Sequence, residues 1–396
     1  MKILSIETSC DETAVSLIEA TDDFPNAKYK ILGNSLRSQI MLHREYGGVF
    51  PSLAKRDHAA IITTLLKMVI TESNLDLKPL KLSESEKLAL KELLNREDDL
   101  ARELINYVES EGLPDVDIIS VTTGPGLEPA LWVGLSFAKA LSLLTKTPVV
   151  PANHMEGHIF ASIFNGERLA EVDFPAMALL ISGGHTELIS MPAWHQYEKV
   201  GQTRDDAVGE AFDKVARLLG LPYPGGPEIS RMAAFAREAK LPTYTKLPHP
   251  MLDATSLDFS FSGLKTAVRY AIQDKELSEN ETRALARDFE DVVTEVLLRK
   301  AEISVNKYGI KSLILGGGVS ANQNIRDVFT DFFSREYPDL KLYFPDPLLS
   351  TDNSIMIAFV GHAHAKHALN TTETTSLQAE GNKAHRRIAQ GQPLFQ

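Results

Sequence analysis

Short apolar runs broken by small polar turns alternate along this chain with longer amphipathic stretches, and the alternation predicts its elements. Residues 3–19, ILSIETSCDETAVSLIE, read as strand, polar turn and strand. Residues 177–191, MALLISGGHTELISM, repeat the pattern with SGGHT at the turn. Two such hairpins half a chain apart suggest two related α/β domains, each opening with a loop that faces a shared cleft. Between them, DIISVTTGPGLEPALWVGLSFAKALSLLTKTPVVPAN gives a strand, a Gly-Pro-Gly turn, a helix and another strand. In DDAVGEAFDKVARLLGL, Ala207, Ala211, Phe212, Val215, Leu218 and Leu219 recur at helical spacing, and Gly220 is placed to end the helix. Residues 312–329, SLILGGGVSANQNIRDVF, predict a strand, a Gly-rich turn and a helix start, a geometry in which backbone amides meet an anion or a nucleotide.

One segment departs from this rhythm. SESEKLALKELLNREDDLARELINYVES opens with a capping box at Ser83 and Glu86 and sets Leu90, Leu93, Leu94, Leu100, Leu104, Ile105 and Val108 on one stripe. It predicts an inserted helix or helical hairpin whose stripe packs on the body of the chain or binds another subunit. From Asn370 onward apolar periodicity is lost, and the tail is expected to fray.

Composition narrows the class. The 396 residues carry a net charge of -12 and one cysteine, Cys10. A disulfide within the chain and a thiolate-rich cluster are excluded, so any metal falls to His, Asp or Glu. The first 20 residues place Asp and Glu where a signal peptide needs an apolar core, and no apolar run is long enough to cross a bilayer. A cytoplasmic enzyme without membrane association is expected. The charge argues against generic nucleic-acid binding. It leaves room for a local patch at residues 35–58, where Arg37, His43, Arg44, Lys55 and Arg56 are interleaved with Tyr46 and Phe50; a solvated face is the plainer reading.

Candidate chemistry centres on NHMEGHIF, residues 153–160. His154 and His158 lie one helical turn apart and can share a metal, although two histidines on a helix are more often structural. Glu156 falls roughly 200° around the helix from His154, at ~100° per residue, so it cannot serve the same metal as a protease base. Asp352 in LLSTDNSIMIA either caps a helix or faces a cleft as a third ligand; two His and one carboxylate suit iron or zinc. His362, His364 and His367 lack ligand spacing and read as surface residues. The glycine loops at SGGH, at 224–226 and at 316–318 could surround phosphates with amides, without a basic chain and without the P-loop signature. Asp11 and Glu12 in the first hairpin turn could position a cation, polarise a nucleophile or close the turn; Cys10 reads as a packed thiol.

Taken in order, IETSCDET, GPGL, HMEGH, SGGHT, GEAFDKVARLLGLPYPGGP, DFSFSGLKTAV, GGGVSAN and TDNSIMIA closely resemble the tRNA N6-adenosine threonylcarbamoyltransferases, the TsaD family, from residue 1 to about 368. The resemblance implies an α/β fold of actin-like and sugar-kinase-like (ASKHA) architecture: duplicated ribonuclease H-like lobes around a cleft, here with a helical insertion at about 74–113. It places the N-terminal lobe at 1–160, completed by 352–396, and the C-terminal lobe at 161–351. The implied reaction transfers threonylcarbamoyl from threonylcarbamoyl-AMP to N6 of the adenosine beside the tRNA anticodon, position 37. The family pattern further implies His154, His158 and Asp352 as ligands of one divalent metal, iron or else zinc. It implies Leu180, Ile181, Ser182, Gly183, Gly184, Asp213, Gly226 and Asn322 as substrate-binding residues and Asp11 as the catalytic residue. Expected partners are tRNA and TsaB-like and TsaE-like proteins. The rival readings are a metallopeptidase, a small-molecule kinase of the same fold, and a silent scaffold.

Overall fold

Each of the two polar hairpins seeds a sheet. The structure, a computed structural model, describes residues 1–252 and 256–381. In the first unit, Met1–Ala170 with the described residues from Asp352 onward, β1 (Lys2–Glu7) pairs antiparallel with β2 (Glu12–Thr21), which pairs antiparallel with β3 (Lys28–Ser38). After the short α1 (Ile40–His43) and long α2 (Pro51–Ser73), the predicted insertion forms a hairpin of α3 (Glu84–Leu93) and α4 (Asp98–Ser110). Then β4 (Ile118–Gly124), α5 (Glu128–Thr145), β5 (Val149–Asn153) and α6 (His154–Ile163) follow, with β4 parallel to β1 and to β5.

The second unit, Glu171–Thr351, repeats the plan. It contains β6 (Ala176–Ile181), β7 (Thr186–Ala193), β8 (Gln196–Gln202), α7 (Val208–Leu218), α8 (Gly225–Glu238), α9 (Ser262–Ile272), α10 (Glu279–Tyr308), β9 (Ser312–Gly316), α11 (Gln323–Glu336) and β10 (Lys341–Tyr343). The sheet orders are β3-β2-β1-β4-β5 and, read from its other edge, β8-β7-β6-β9-β10, the same ribonuclease H-like order twice. The last helix, α12 (Ser354–Ala363), returns to the first unit. The α/β fold with duplicated lobes and a helical insertion is the one expected.

Alternation along the first sheet explains its two covered faces. Leu4, Ile6, Val15, Leu17, Ile119 and Val121 join one apolar cluster with α2, α4 and α5. The opposite face carries Ser5, Ser16 and Ser120 at matching positions, small enough for α12 to lie close. The Ser120 hydroxyl donates to the Ile357 carbonyl at 2.7 Å.

The insertion's stripe packs on its own body. Leu90, Leu94, Leu100, Leu104 and Val108 are buried in the same cluster, and the capping box at Ser83 and Glu86 is present as predicted. Residues 161–170 belong to the first unit: they fold back on themselves through Phe164–Leu169 and pair with its β3 through Lys28–Arg168. The tail is corrected in part. Residues 370–381 are anchored, with Lys139 Nζ donating to the Leu377 carbonyl and the Glu380 N–H to the Thr123 carbonyl, and Thr374 is buried. The remainder, 382–396, lies outside the described residues.

If the stripe is core and not a docking face, Leu104→Ala should lower stability by about 2–5 kcal/mol, the cost of a cavity under a buried leucine. A denaturant midpoint unmoved by this substitution would contradict that packing.

Candidate metal centre and nucleotide loops

Two elements bring the predicted ligands together. β5 runs straight into α6, whose first residue is His154; the Asn153 carboxamide caps it by accepting the Met155 and Glu156 N–H groups at 2.9 and 3.2 Å. At α12 the cap is Asn353, accepting from the Met356 N–H at 3.0 Å. Asp352 is therefore not the cap, which decides between its two sequence readings. Its Oδ1 lies 3.3 Å from His154 Nε2 and 3.1 Å from His158 Nε2. A tetrahedral ion with bonds of ~2.0–2.1 Å has ligand-to-ligand edges of roughly 3.3 Å, so this nitrogen and oxygen donor set fits a divalent metal. Both imidazoles are buried, the His158 side chain 2% exposed and that of His154 6%, while the Asp352 side chain is 19% exposed.

Electrostatics agree. Burial disfavours a charged His154, but the Asp352 and Glu7 carboxylates outweigh it and raise the imidazole well above its usual range. Burial of Asp352 is likewise outweighed by His154 and His158, which hold its carboxyl well below the usual carboxylate range. Such paired groups favour positive charge at their centre.

Two sequence readings are corrected or sharpened here. His362 and His364 are buried, not on the surface, whereas His367 is exposed. His362 Nδ1 lies 3.0 Å from the Tyr29 hydroxyl. His364 Nε2 meets both Glu156 oxygens at 3.0 and 2.9 Å, tying α6 to the end of α12. Glu156 thus holds helices together on the side away from the ligands.

Asp11 sits at the β1–β2 turn. Burial first, then the Asp352 charge, raises its carboxyl above the ordinary range. Its neighbour Cys10 is pushed well up by burial and by Asp11, which suits a packed thiol and not a nucleophile. The turn is pinned from outside: the His58 Nε2–H donates to the Cys10 carbonyl at 3.0 Å, His58 Nδ1 lies 2.7 Å from Thr13 Oγ1 and 3.2 Å from Gln39 Nε2, and the Gln39 N–H donates to the Asp11 carbonyl. His58 was not singled out in the sequence; a histidine on the apolar face of α2 was the available signal.

In the second unit residues 180–184 run out of the C-terminal end of β6 and Asn322 follows the parallel β9, while Asp213 lies on α7 and Gly226 at the start of α8. Leu180 and Ile181 are fully buried strand residues, so they position the loop without offering side chains to a ligand. Ser182 is half-buried, Gly183 and Gly184 are exposed, and a Cβ at either glycine would meet nothing within 4 Å. Gly317 differs: its φ of +86° needs glycine, and a Cβ there would lie 2.5 Å from the Ile181 carbonyl oxygen. Asp213 accepts the Gly225 N–H at 2.7 Å and bonds the Gly226 N–H, yet burial raises its carboxyl. The Asn322 side chain is committed to Ser230, Glu290 and the Ile325 N–H, so it holds the loop together.

The basic segment is largely neutralised. Lys55 pairs with Glu97 at 2.6 Å and Arg37 with Asp57 at 3.6 Å, while His43 is buried. Arg44 and Arg56 remain exposed.

A profile of the TsaD family, tRNA N6-adenosine threonylcarbamoyltransferase, matches residues 30–82 and 88–359. The chain belongs to this family. Its two stretches are separated within the insertion, next to the α3 cap. The tRNA N6-adenosine threonylcarbamoyltransferase of Persephonella marina is 38% identical over 94% of this chain and 93% of its own length. That of Ralstonia pickettii is 39% identical over 91% and 90%. As a member of the TsaD family the chain is an enzyme, a transferase acting on N6 of adenosine in tRNA. Among solved structures, HypF in its phosphate- and nucleotide-bound form aligns with a TM-score of 0.48 at 12% identity, covering 68% of this chain and 41% of that one. HypF of T. kodakarensis gives 0.47 at 12%, covering 70% and 44%. Among the described residues no helix is long and apolar enough to cross a membrane.

The pinned turn has a pH signature. Burial lowers His58 from 6.5 to about 4, so it stays neutral in the fold while the unfolded chain takes up a proton below 6.5. Stability should therefore be lost as pH falls from 6.5 towards 4, by about 1.4 kcal/mol per unit from this group. Melting of His58→Gln against the parent between pH 7 and pH 4.5 checks this; equal slopes would refute it.

The glycines give a second expectation. Gly183→Val should leave melting unchanged, while Gly317→Val should lower it through backbone strain; the reverse order would contradict the loop geometry.

Proposed function

We propose that this chain transfers threonylcarbamoyl from threonylcarbamoyl-AMP to N6 of the adenosine at position 37, beside the tRNA anticodon, with His154, His158 and Asp352 holding one divalent metal, iron or zinc. The observation that carries the metal reading is the convergence of two imidazole nitrogens and one carboxylate oxygen in a family member whose α12 cap is supplied by a different residue. A bound divalent ion supplies Lewis-acid polarisation of a carbamoyl or phosphate oxygen.

The chain's own residues divide the remaining work. In the second unit the free glycine amides of the 182–184 loop stabilise the departing AMP, helped by the loop that begins at Gly317. In the first unit Asp11, whose carboxyl is already biased towards protonation, accepts the proton leaving the adenosine amine. The C–N bond to adenosine forms as the bond from the carbamoyl carbon to the phosphate oxygen breaks, so AMP leaves with that oxygen. Glu156 does not serve as the base of a peptide hydrolysis, because it is buried and bonded to His364.

Arg37 and Lys55 are paired with acids, so a TsaB-like or TsaE-like partner carrying tRNA surface fits this chain better than the basic segment acting alone. A cytoplasmic location is part of this reading, supported by the tRNA-modifying relatives.

His154→Ala, His158→Ala and Asp352→Ala should each slow transfer by about 100-fold or more, the scale of losing a group that stabilises the transition state, and should each lose bound zinc in equilibrium dialysis. Nucleoside mass spectrometry of the tRNA product measures the first effect. Parent-like transfer in any of the three folded variants would overturn the assignment.

A further inference from the structure

We infer that Glu7 is a positioning residue that sets which nitrogen of His154 faces the metal; this role rests on the metal reading above. Glu7 ends β1 and is fully buried. Its Oε1 accepts the Ser9 N–H at 2.5 Å. Its Oε2 accepts the Thr122 hydroxyl at 2.6 Å and faces His154 Nδ1 at 3.1 Å. Three groups converge on an acceptor-only carboxylate, so Nδ1 keeps its hydrogen and Nε2, 3.3 Å from Asp352, is the nitrogen left to give up its proton to a metal. Ser9 Oγ, 3.2 Å from Nδ1, offers a second and longer contact on the same edge of the ring.

The two histidines are unequal in this respect. His158 Nδ1 is buried with no hydrogen-bond partner among the described residues, so nothing comparable orients that ring. The carboxylate–histidine–metal arrangement is thus confined to His154, where it fixes both tautomer and ring orientation. Strand pairing supplies the geometry: β1 lies against β4 with Ile6 opposite Val121, which brings Thr122 alongside Glu7.

Glu7→Gln changes one atom and has a definite consequence. The Ser9 N–H is a fixed donor and keeps the amide oxygen on its side, so the new NH2 group points at His154 Nδ1. Nδ1 must then accept, and the hydrogen moves to Nε2, where a ligand lone pair is needed. Thr122→Val removes the other side-chain donor to Glu7 but leaves the His154 contact in place, which separates positioning from general support of the buried carboxylate.

The test uses the full chain with histidine labelled by nitrogen-15 and zinc as the probe. Ring nitrogen shifts of the zinc-loaded protein should report zinc on Nε2 and a hydrogen on Nδ1 of His154 in the parent and in Thr122→Val, and this signature should be lost in Glu7→Gln. Zinc affinity of Glu7→Gln, by competition with a chelator, should fall about 10–100-fold. Zinc bound through Nδ1 of His154 in the parent would overturn the role without recourse to any variant. A parent that binds zinc beside a Glu7→Gln of equal affinity would overturn this role alone, whereas a parent that takes up no zinc overturns the metal reading and this role together.

Discussion

The seat of α12 on the first sheet is the constraint from which the donor geometry follows. Gly361 lies so near the sheet that a Cβ there would fall 2.5 Å from Ser120 Cβ, and the Ser120 hydroxyl is bonded to the Ile357 carbonyl. A larger side chain at either position would lift the helix and carry Asp352 away from the two imidazoles. From the other direction, α6 packs on α12 at Gly157, where Met356 is in contact, and Glu156 clamps His364. Glu156, between His154 and His158 in sequence, faces away from them, yet it helps set the distance at which these two side chains and Asp352 meet.

In the second unit the same economy of side chains produces a different result. Gly209 approaches the Ser182 carbonyl and Gly225 approaches Asp213 so closely that any Cβ would collide. These contacts draw α7 and α8 up to the end of β6, leaving the Gly183 and Gly184 amides exposed. Binding by amides needs no net positive charge, so the role proposed for this loop is compatible with a chain of net charge -12. The cost of close approach is borne by glycine positions, and the carboxyl of Asp213 takes up amides at the start of α8 that would otherwise be unpaired.

Much of this was legible because it is local. Strand alternation around IETSCDET and SGGHT gave both hairpins, and the Ser83–Glu86 box gave the start of the insertion helix. The His154–His158 spacing gave two of the three donors. What could not be read depends on partners distant in sequence. Only the structure shows that Asn353, not Asp352, caps α12, and that His364 is buried against Glu156, 208 positions away. Glu7 was hidden in plain view: a charged residue closing an apolar strand is a signal, but its meaning lies in Thr122 and His154, which reach it through strand pairing and the β5–α6 junction. The tail misled for a similar reason, since residues 370–381 are held by backbone bonds that leave no apolar period.

Whether two imidazole Nε2 atoms and one Asp352 oxygen bind a single divalent ion is decided by anomalous diffraction at the zinc absorption edge, from crystals of the zinc-loaded full chain. One strong peak per chain is expected, bonded at about 2.0–2.2 Å to His154 Nε2, His158 Nε2 and an Asp352 oxygen. A peak elsewhere, or one bonded through Nδ1 of His154, would contradict that binding.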